Sequence, residues 1–567
     1  MRSFNVRPIQ IREIFSILSI GLLIYIIDYL PYEILDLESS LIGLAVRYSK
    51  GFVLVIGIIF TFYFINKNNY LKLEKLVLPN SLYLFSVILI SIIIVFFVMI
   101  VSKYYSFRYY ADMANNLEIL WRERVGKGLT SPMFEGAHSG LHWFSAHFAP
   151  IAYIIVYPFF YIFPHAETII TLEVLTICLG AIPIALYAKN QLESNLGYLI
   201  GCVYLLYPTI QYTLLYDFGF LQFSIGFISW AIYFCYKRNY ICYIIMVVLA
   251  LMCREEVGLT LFLYGLYLIV KENKKIIGLI TALPSLLYSL TAFFIIIPSF
   301  RNEGKFLKLG WYEQYGSGFE EIAITILTNP LLVLDDLTSI IKITNLIMFF
   351  LPLCFLPLLS PSILIITSIN FGYMFLSSSV STYSYFLYYL SPSIPFLFVA
   401  TIASLKKIQI KFQINKLILT LFIAAIATNI TFSPSPISAS FWSSDYKLGN
   451  FYTTNFHRSI YPIDEHDEIV HSAIKLIPDN AIVFASMPIL PLLYKNNEIY
   501  IFSGNYDRSY GKKKILADYI IVDRKHPIKT GYKHLTDEDL MNFCNRKDFK
   551  KIFDRDGVFV CKLNKDV

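Results

Sequence analysis

Charged residues are scarce in this chain. They make up 15% of its 567 residues, whereas apolar residues make up 56% and the mean hydropathy is +0.59. Soluble proteins carry charge on about a quarter of their residues, so the composition excludes an ordinary soluble enzyme and indicates an integral membrane protein. Uncharged stretches long enough to cross a bilayer predict about 13 spans. They are residues 14–31, 51–66, 80–101, 168–187, 196–216, 220–236, 240–252, 257–271, 276–298, 345–359, 360–377, 385–405 and 416–432.

The sequence also lacks the motifs of several soluble catalytic classes. A Walker loop, a GxSxG motif and an HExxH motif are all missing, which argues against ATPase, hydrolase and metalloprotease functions. Six of the eight cysteines lie in or beside predicted spans. Only Cys544 and Cys561 lie in the C-terminal tail, where a disulfide is allowed. The net charge of +7 comes from loops predicted to be cytoplasmic, and nothing in the sequence indicates nucleic-acid binding.

Basic residues are strongly biased to one side of the predicted bundle. With a cytoplasmic N-terminus, the inner loops carry sixteen Lys and Arg residues against four acidic residues, as the positive-inside rule requires. No cleavable signal is evident, because the first apolar run has no small-residue cleavage site. We therefore expect a multi-pass protein of the cell membrane. Its outer segments are 103–167, 217–219, 253–256, 299–344 and everything after about 433.

The composition changes near residue 433. Residues 1–432 predict a helix bundle with a large outer loop at 103–167, in which Pro150–Phe163 is an interfacial or re-entrant helix. The Ser-Pro linker Ser433–Pro436 opens a polar tail, 433–567, which predicts a small extracytoplasmic α/β domain. Its predicted strands are Ala481–Ser486, Glu498–Ser503, Asp518–Asp523 and Gly557–Leu563, and its predicted helices are 465–476 and 535–545.

Arg254, Glu255 and Glu256 stand side by side between two apolar runs. Charges in this setting are costly and persist at a helix end, in a water-filled cavity or paired with each other. One interpretation is a polar turn between two spans in which Arg254 pairs with a glutamate. The other is a polar site at the mouth of the bundle.

Asp112 follows the span 80–101 and precedes a helical pattern formed by Met113, Leu117, Leu120 and Trp121. That pattern predicts an amphipathic helix on the membrane surface. Asp112 is then either its N-cap, a role that aspartate fills well, or a carboxylate able to bind a sugar hydroxyl, act as a base or ligate a metal.

Two further groups fall on the same predicted side. His138 and His142 have a spacing compatible with metal binding, but no third ligand is identifiable. His147 is predicted to shape the re-entry into the membrane and to contact a phosphate. Asp217 lies at an outer junction of two spans and is either part of a polar turn or a member of a shared site. Because Asp112, Asp217 and the Arg254 group all fall on the outer side, a shared outer cavity is the favoured interpretation.

Several of these stretches resemble domain-of-unknown-function family 2079, a prokaryotic multi-spanning membrane family. The resemblance covers roughly residues 95–565. It departs from the family pattern at Gly219, where the family has His, and at Glu118, where it has Gln. It rests on the segment from Asp112 to Trp121, His147–Pro150, Gly180–Pro183, Leu206–Pro208, Asp217–Phe218, Cys253–Glu256, Asn329–Pro330, Ile477–Ala481 and Ala517–Asp523.

That family is distantly similar to the C-type (GT-C) glycosyltransferases, which use polyprenyl-phosphate sugars on the outer side of the membrane. The resemblance implies a GT-C-like bundle and places the catalytic acid of the first outer loop at Asp112. It places a second motif of the family at Arg254, Glu255 and Glu256.

The favoured hypothesis is a GT-C membrane glycosyltransferase with a lipid-linked sugar donor and an acceptor that the sequence does not identify. Asp112 is the predicted catalytic residue, and the predicted substrate-binding residues are His147, Asp217, Arg254, Glu255 and Glu256. Membrane lipids are expected partners; the sequence demands no cofactor and leaves a divalent metal open. The alternatives are a transporter or flippase for a lipid-linked or small solute, and a non-catalytic membrane protein.

Overall fold

The structure is a computed structural model that describes residues 80–109, 111–133, 142–301, 307–442, 456–502, 507–510, 513–525 and 548–564. The predicted spans 14–31 and 51–66, the predicted helix 535–545, His138 and Cys544 lie outside these residues. The described chain is mainly helical and carries a small sheet near its C-terminus.

Helices dominate up to residue 442, as the long apolar runs predict. In the first half they are α1 Ser81–Tyr105, α2 Ala111–Arg124, α3 Tyr157–Ile162, α4 Ala166–Leu179, α5 Ala181–Leu192, α6 Tyr198–Leu205, α7 Pro208–Leu215, α8 Phe223–Tyr236, α9 Tyr240–Leu251, α10 Val257–Val270 and α11 Lys275–Thr291. They continue as α12 Ile297–Ser299, α13 Phe319–Thr328, α14 Pro330–Leu337, α15 Ile340–Phe350, α16 Pro361–Leu364, α17 Ser368–Phe375, α18 Val380–Tyr383, α19 Ile394–Ile408, α20 Ile414–Phe432, α21 Ala439–Trp442 and α22 Glu465–Ile474.

Five of the described helical segments are long and apolar enough to cross a membrane: Ser81–Tyr105, Ala166–Leu192, Lys275–Ser299, Val380–Ile408 and Ile414–Phe432. A sixth arises if Asn195–Leu205 and Pro208–Leu215, which are bent by 45°, form one span. The other predicted spans within the described residues coincide with shorter apolar helices. A polytopic helical architecture is therefore confirmed, while the number of spans stays a prediction.

The predicted re-entrant segment Pro150–Phe163 is helical from Ala152 to Ile162. Ala152, Val156 and Phe160 are buried, whereas Tyr153, Phe159 and Tyr161 are about half exposed. The helix begins with a π-helical turn, Ala152–Val156, two residues before Pro158. A wider turn relieves the clash between a proline ring and the preceding turn, so the helix continues through Pro158.

One predicted span has different ends in the structure. The sequence predicted 345–359, whereas the helical segment covers Ile340–Leu353. Cys354 and Phe355 follow it with φ values of +51° and +56°. Two consecutive left-handed residues cannot continue a right-handed helix, and apolar composition alone gave no sign of this break.

The strands near the C-terminus are β1 Ile482–Ala485, β2 Glu498–Ile501, β3 Asp507–Tyr510, β4 Lys513–Leu516, β5 Tyr519–Asp523, β6 Phe549–Arg555 and β7 Val558–Leu563. Five of them form a sheet of order β2-β1-β5-β7-β6, with β1 parallel to β2 and β5, and β7 antiparallel to β5 and β6. All four predicted strands are present, and β3, β4 and β6 were not predicted. Cys561 in β7 is disulfide-bonded.

The sheet shares its hydrophobic core with the loop that follows α1. Phe107, Ala114 and Met133 pack with Val470 and Ile489 in one buried cluster. Polar contacts cross the same boundary, because His471 lies 2.8 Å from the carbonyl oxygen of Tyr105 and Tyr104 donates to that of Pro491 at 3.0 Å. The sheet is thus anchored on the segment that carries Asp112.

The helix predicted after Asp112 is α2, but its surroundings differ from the prediction. Met113, Leu117 and Leu120 are fully buried, and α2 packs against the 3-10 segment Met487–Leu493. An amphipathic stripe shows that a helix needs an apolar partner. It does not say whether that partner is lipid or protein, and here it is protein.

Candidate functional site

A cavity of about 80 Å³ brings together residues from five separated parts of the chain. Asp112 comes from the first turn of α2, His147 from the loop after Trp143, and Arg254 from the turn between α9 and α10. The lining residues are Asp112, Asn115, Asn116, Trp143, Ala146, His147, Ala149, Phe218, Gly219, Phe220, Leu221, Cys253, Arg254 and Tyr388. Of the predicted site residues, Asp112, His147 and Arg254 line this cavity, whereas Asp217, Glu255 and Glu256 do not.

Asp112 presents a carboxylate at the start of a helix. It lies in the first turn of α2 and is exposed, while the residues that follow it are buried. The positive end of the helix dipole favours an ionised side chain at this position. The burial of α2 between the bundle and Met487–Leu493 fixes the place of Asp112 on the cavity wall.

Arg254 lies at the centre of a buried charged cluster, which we call the Arg254 cluster: Arg254, His147, Glu255 and Glu256. The Arg254 Nε atom lies 3.0 Å from Glu256 Oε2 and 3.8 Å from Glu255 Oε1. Arg254, Glu255 and Glu256 are each at most 5% exposed. Burial disfavours the charged guanidinium, but Glu256 and Glu255 outweigh this effect and raise its pKa. Arg254 is therefore a permanent buried cation.

Glu255 joins the two loops that form this side of the cavity. Its Oε1 lies 2.9 Å from His147 Nδ1, and its Oε2 accepts the backbone N–H of Phe148 at 3.0 Å. Ile151 N donates to the carbonyl oxygen of Met252 at 3.0 Å. These bonds place the imidazole of His147 beside Arg254, with Arg254 Nη2 at 2.9 Å from His147 Nε2. Arg254 Nε also lies 3.0 Å from His147 Nδ1, so the guanidinium approaches both nitrogens of the imidazole.

Tyr388 and Tyr389 complete the surroundings of Arg254, and no motif in the sequence pointed to them. The guanidinium carbon lies 6.0 Å from the ring centroid of Tyr388 and 5.8 Å from that of Tyr389. The two rings stack on each other at 4.7 Å. Aromatic faces stabilise a cation at such distances, and Tyr388 also lines the cavity.

Asp217 lies outside the cavity lining, unlike the predicted residues Asp112, His147 and Arg254. Its side chain is fully buried and does not line the cavity, although its neighbours Phe218 and Gly219 do. It interacts electrostatically with Lys103 of α1, which in turn interacts with Glu173 of α4. We call Lys103, Glu173 and Asp217 the Lys103 cluster; its lysine and glutamate are at most 4% exposed. The predicted substrate-binding role of Asp217 stays a prediction.

The Lys103 cluster holds the segment that forms one wall of the cavity. Lys103 Nζ donates to the carbonyl oxygen of Leu215 at 2.5 Å and lies 4.2 Å from the ring centroid of Tyr109. Gln222 accepts the N–H of Gly219 at 2.7 Å and donates to the carbonyl oxygen of Asp217 at 3.1 Å. Sequence reasoning missed Lys103 and Glu173, although an acid inside the predicted span 168–187 was a signal for a functional position.

The histidine pair at 138 and 142 gains no support as a metal site from the described residues. His142 Nδ1 accepts the N–H of Phe144 at 3.0 Å, and its ring stacks on Phe300 at 4.5 Å. Burial lowers the pKa of His142. In the part of the chain that the structure describes, the group able to hold a metal ion is His147, Glu255 and Glu256, whose ligand atoms lie within 4.8 Å of one another.

The fold is similar to that of a protein whose crystal structure has been solved. The crystal structure of ArnT from Cupriavidus metallidurans bound to undecaprenyl phosphate matches with a TM-score of 0.50 and 10% sequence identity. The match covers 85% of this chain and 98% of ArnT. At this identity the likeness concerns the fold. No curated protein matches the sequence.

The family resemblance seen in the sequence is confirmed over most of the chain. The family model described as "Predicted membrane protein (DUF2079)" matches residues 112–560. The matched range begins at Asp112 and contains the cavity-lining residues. The chain therefore belongs to the DUF2079 family of predicted membrane proteins.

Proposed function

We propose that this protein is a membrane glycosyltransferase that takes a sugar from a polyprenyl-phosphate donor. The observation that carries the proposal is the cavity lined by both Asp112 and Arg254, with His147 beside Arg254. A carboxylate and a buried guanidinium facing one cavity are the groups that such a transfer needs. The GT-C-like fold and the undecaprenyl phosphate bound by ArnT support the donor class.

The proposed reaction uses the two sides of the cavity differently. Asp112 removes the proton from the acceptor hydroxyl as its oxygen forms a bond to the anomeric carbon of the donor sugar. The bond between that carbon and the phosphate oxygen breaks, and the lipid phosphate leaves with the electron pair. Arg254 stabilises this phosphate, because guanidinium N–H groups match phosphate oxygens. Glu255 and Glu256 hold Arg254 in place, and His147 is its neighbour on the cavity wall.

We propose that Arg254 supplies the positive charge that a metal ion supplies in other transferases. The candidate ligands His147, Glu255 and Glu256 already surround the guanidinium at 2.9 to 3.8 Å. A divalent ion bound to all three would compete with Arg254 for the same space. Donor binding that survives a chelator such as EDTA supports this assignment, and loss of binding that added Mg²⁺ or Mn²⁺ restores would contradict it.

The cavity is proposed to face the outside of the cell, with the C-terminal region 433–567 presenting the acceptor there. The support is the basic bias of the predicted inner loops and the packing of the sheet on the Asp112 segment. Lys127 and Lys411 are both exposed and fall on opposite predicted sides. We expect a membrane-impermeant maleimide to label Lys127→Cys in intact cells and to leave Lys411→Cys unlabelled. The reverse pattern would overturn the orientation.

Transport of a lipid-linked solute is the competing function, and the broken helix pair α6–α7 is the feature that suggests it. In transporters, the backbone freed at such a break coordinates the substrate. Here Gln211 donates to the carbonyl oxygen of Leu205 at 2.9 Å, and Asn429 donates to that of Leu206 at 2.8 Å. The freed carbonyl groups are satisfied within the protein, so the break favours a structural role over transport.

The donor class is testable by binding alone. We expect wild-type protein in nanodiscs to bind undecaprenyl phosphate, measured by native mass spectrometry, and Arg254→Ala to bind it at least 10-fold more weakly, because each charge-assisted hydrogen bond contributes roughly 1.5–3 kcal/mol. Lys342→Ala is the matched control. It also removes a buried base paired with an acid, at 2.6 Å from Asp336, and Lys342 does not line the cavity. Absence of binding by the wild type would contradict the donor class.

A further inference from the structure

Asn116 occupies a special place on the cavity wall. It lies one helical turn after Asp112 in α2, is 2% exposed and lines the cavity. Its amide Nδ2 donates to two backbone carbonyl oxygens, that of Asp112 at 2.8 Å and that of Phe218 at 2.9 Å. Asn116 thereby joins the helix of Asp112 to the loop that forms the neighbouring wall.

Within the protein, the Asn116 side chain uses its two hydrogen-bond donors but not its acceptor. An amide nitrogen has two protons, and two carbonyl oxygens take both of them. These carbonyls also fix the orientation of the amide, because a flipped side chain would place Oδ1 against two other oxygen atoms. Asn116 Oδ1 is buried and has no hydrogen-bond partner among the described residues. A buried acceptor without a partner is costly, so such a position in a cavity wall indicates a ligand.

The distant Asn345 shows that an Oδ1 atom without a partner is not general among helical asparagines in the described part of the chain. Asn345 in α15 makes the same bond to the preceding turn, to Ile341 at 2.9 Å, but its Oδ1 accepts the N–H of Tyr385 at 3.1 Å. Asn345 does not line the cavity.

We propose that Asn116 Oδ1 accepts a hydrogen bond from a hydroxyl of the donor sugar, and that it is therefore a specificity-determining residue. This inference rests on the proposed function. Because the cavity is small, about 80 Å³, we assign it to the polar end of the donor and place the polyprenyl chain outside it. Within it, Arg254 binds the phosphate, while Asn116 and Asp112 face the sugar and the acceptor. The rings of Trp143, Phe218 and Phe220 supply apolar surface beside these polar groups.

The test compares two kinds of probe in nanodiscs: undecaprenyl phosphate, and undecaprenyl phosphate carrying glucose, mannose or galactose. The quantity of interest is the ratio of the two dissociation constants. We expect wild-type protein to bind one of the glycosylated lipids more tightly than the bare lipid. Asn116→Ala should reduce this preference about 5- to 10-fold, the scale of one hydrogen bond, and leave the affinity for undecaprenyl phosphate within about twofold.

Two further variants separate recognition from folding. Asn116→Asp keeps an acceptor facing the cavity but loses donors to Asp112 and Phe218, so it should melt at a lower temperature and yet retain the sugar preference. Asn345→Ala loses an equivalent helix bond away from the cavity and should leave the preference unchanged. Loss of preference in Asn116→Asp to the same extent as in Asn116→Ala would assign Asn116 a structural role.

The outcomes distinguish this inference from the proposed function. If wild-type protein binds neither kind of lipid, the proposed function fails. If it binds undecaprenyl phosphate but prefers none of the glycosylated lipids, or if Asn116→Ala weakens both kinds equally, the sugar-recognition role of Asn116 is overturned and the phosphate site remains.

Discussion

The Arg254 cluster and the Lys103 cluster contain the same charges in different surroundings. Each has one Lys or Arg and two buried carboxyl groups, and the Arg254 cluster also contains His147. Arg254 lines the cavity, whereas Lys103, Glu173 and Asp217 lie outside its lining, and Lys103 binds the carbonyl oxygen of Leu215. A base with two carboxyl groups can therefore contribute to ligand binding, as proposed for the Arg254 cluster, or hold a backbone segment in position, as the Lys103 cluster does.

The choice of basic residue fits this difference. A guanidinium has five N–H donors in a planar fork, so Arg254 can engage Glu256 and still offer donors to a phosphate. A lysine is a compact point charge with three donors, which suits the short bond between Lys103 and Leu215. A buried arginine or lysine is tolerated when it is paired and hydrogen-bonded. Arg254 pairs with Glu256, whereas Lys103 donates to the carbonyl oxygen of Leu215.

Removal of Lys103 should have the largest effect on stability. Lys103→Met leaves Glu173 and Asp217 buried without a cation, and loss of one partner from a buried charge group costs about 3–5 kcal/mol. We expect a large fall in the apparent melting temperature in detergent, measured by intrinsic fluorescence. The double variant Lys103→Met/Glu173→Gln should recover part of the loss. Unchanged melting of Lys103→Met would show that the cluster does not act as a unit.

Removal of the carboxylate from the cavity should affect transfer and leave stability nearly unchanged. Asp112 is exposed, so Asp112→Asn should melt close to the wild type. If Asp112 is the base, release of undecaprenyl phosphate from the glycosylated lipid should fall by about 10²-fold or more. If Asp112 only stabilises the first turn of α2, in which it is the second residue, turnover should be near normal and the helix end should weaken by about 0.3–1 kcal/mol. Normal turnover in Asp112→Asn would therefore remove the catalytic role.

The exchange of arginine for lysine tests the comparison directly. Arg254→Lys keeps the charge but loses the planar fork, so the affinity for undecaprenyl phosphate should fall roughly 10-fold. Lys342→Arg, the reverse exchange at a buried base outside the cavity, is the control and should leave the affinity unchanged. Equal affinity of Arg254→Lys and wild type for undecaprenyl phosphate would show that the site needs a positive charge but not the planar guanidinium.

A prediction about pH dependence concerns Glu118 in α2, whose burial raises the pKa of its carboxyl group to about 8 despite its bond to Ser131. The ordinary value is 4.5, so between these limits the folded protein binds more protons at this site than the unfolded chain. Stability from this group therefore falls as the pH rises from about 4.5 to about 8. We expect the melting temperature of Glu118→Gln to depend less steeply on pH than that of the wild type between pH 5 and 8.

A melting temperature that depends more steeply on pH in Glu118→Gln than in the wild type would contradict the raised pKa of Glu118. Glu118→Gln keeps the shape of the side chain and a donor and an acceptor, so the difference between the two melting curves isolates the ionisation of Glu118. Because Glu118 and Asp112 lie on the same helix, the variant also reports whether the packing of α2 on the sheet influences transfer at the cavity.

Local patterns accounted for the predicted helices and strands. Long apolar runs placed most of the described helices, and short β-branched runs placed β1, β2, β5 and β7, because hydrophobic periodicity is a local property of the chain. The strands β3, β4 and β6 were missed, since Lys, Asp and Arg dominate them. The break at Cys354 was missed because backbone conformation there depends on packing and leaves no compositional trace.

The candidate site was predicted in part. Asp112, His147 and Arg254 were identified as charged or polar residues on one predicted side, and the structure brings all three to one cavity. The same reasoning could not show that Asp217 points away from the cavity, or that Asn116 and Tyr388 face it. Those assignments depend on the direction of a side chain within a helix or loop, which the sequence specifies only through the packing of distant segments.

By itself, the sequence determined that this chain resides in a membrane, that its charges concentrate in a few short segments, and that it belongs to the DUF2079 family. Hydrophobic length and residue order are enough for these conclusions, because each is a property of contiguous residues. Only the tertiary structure decided which charged side chains line the cavity and which are buried away from it. Arg254 and Lys103 are both scarce basic residues beside apolar helices, and their different roles follow from the distant backbone and side-chain groups that folding places around them.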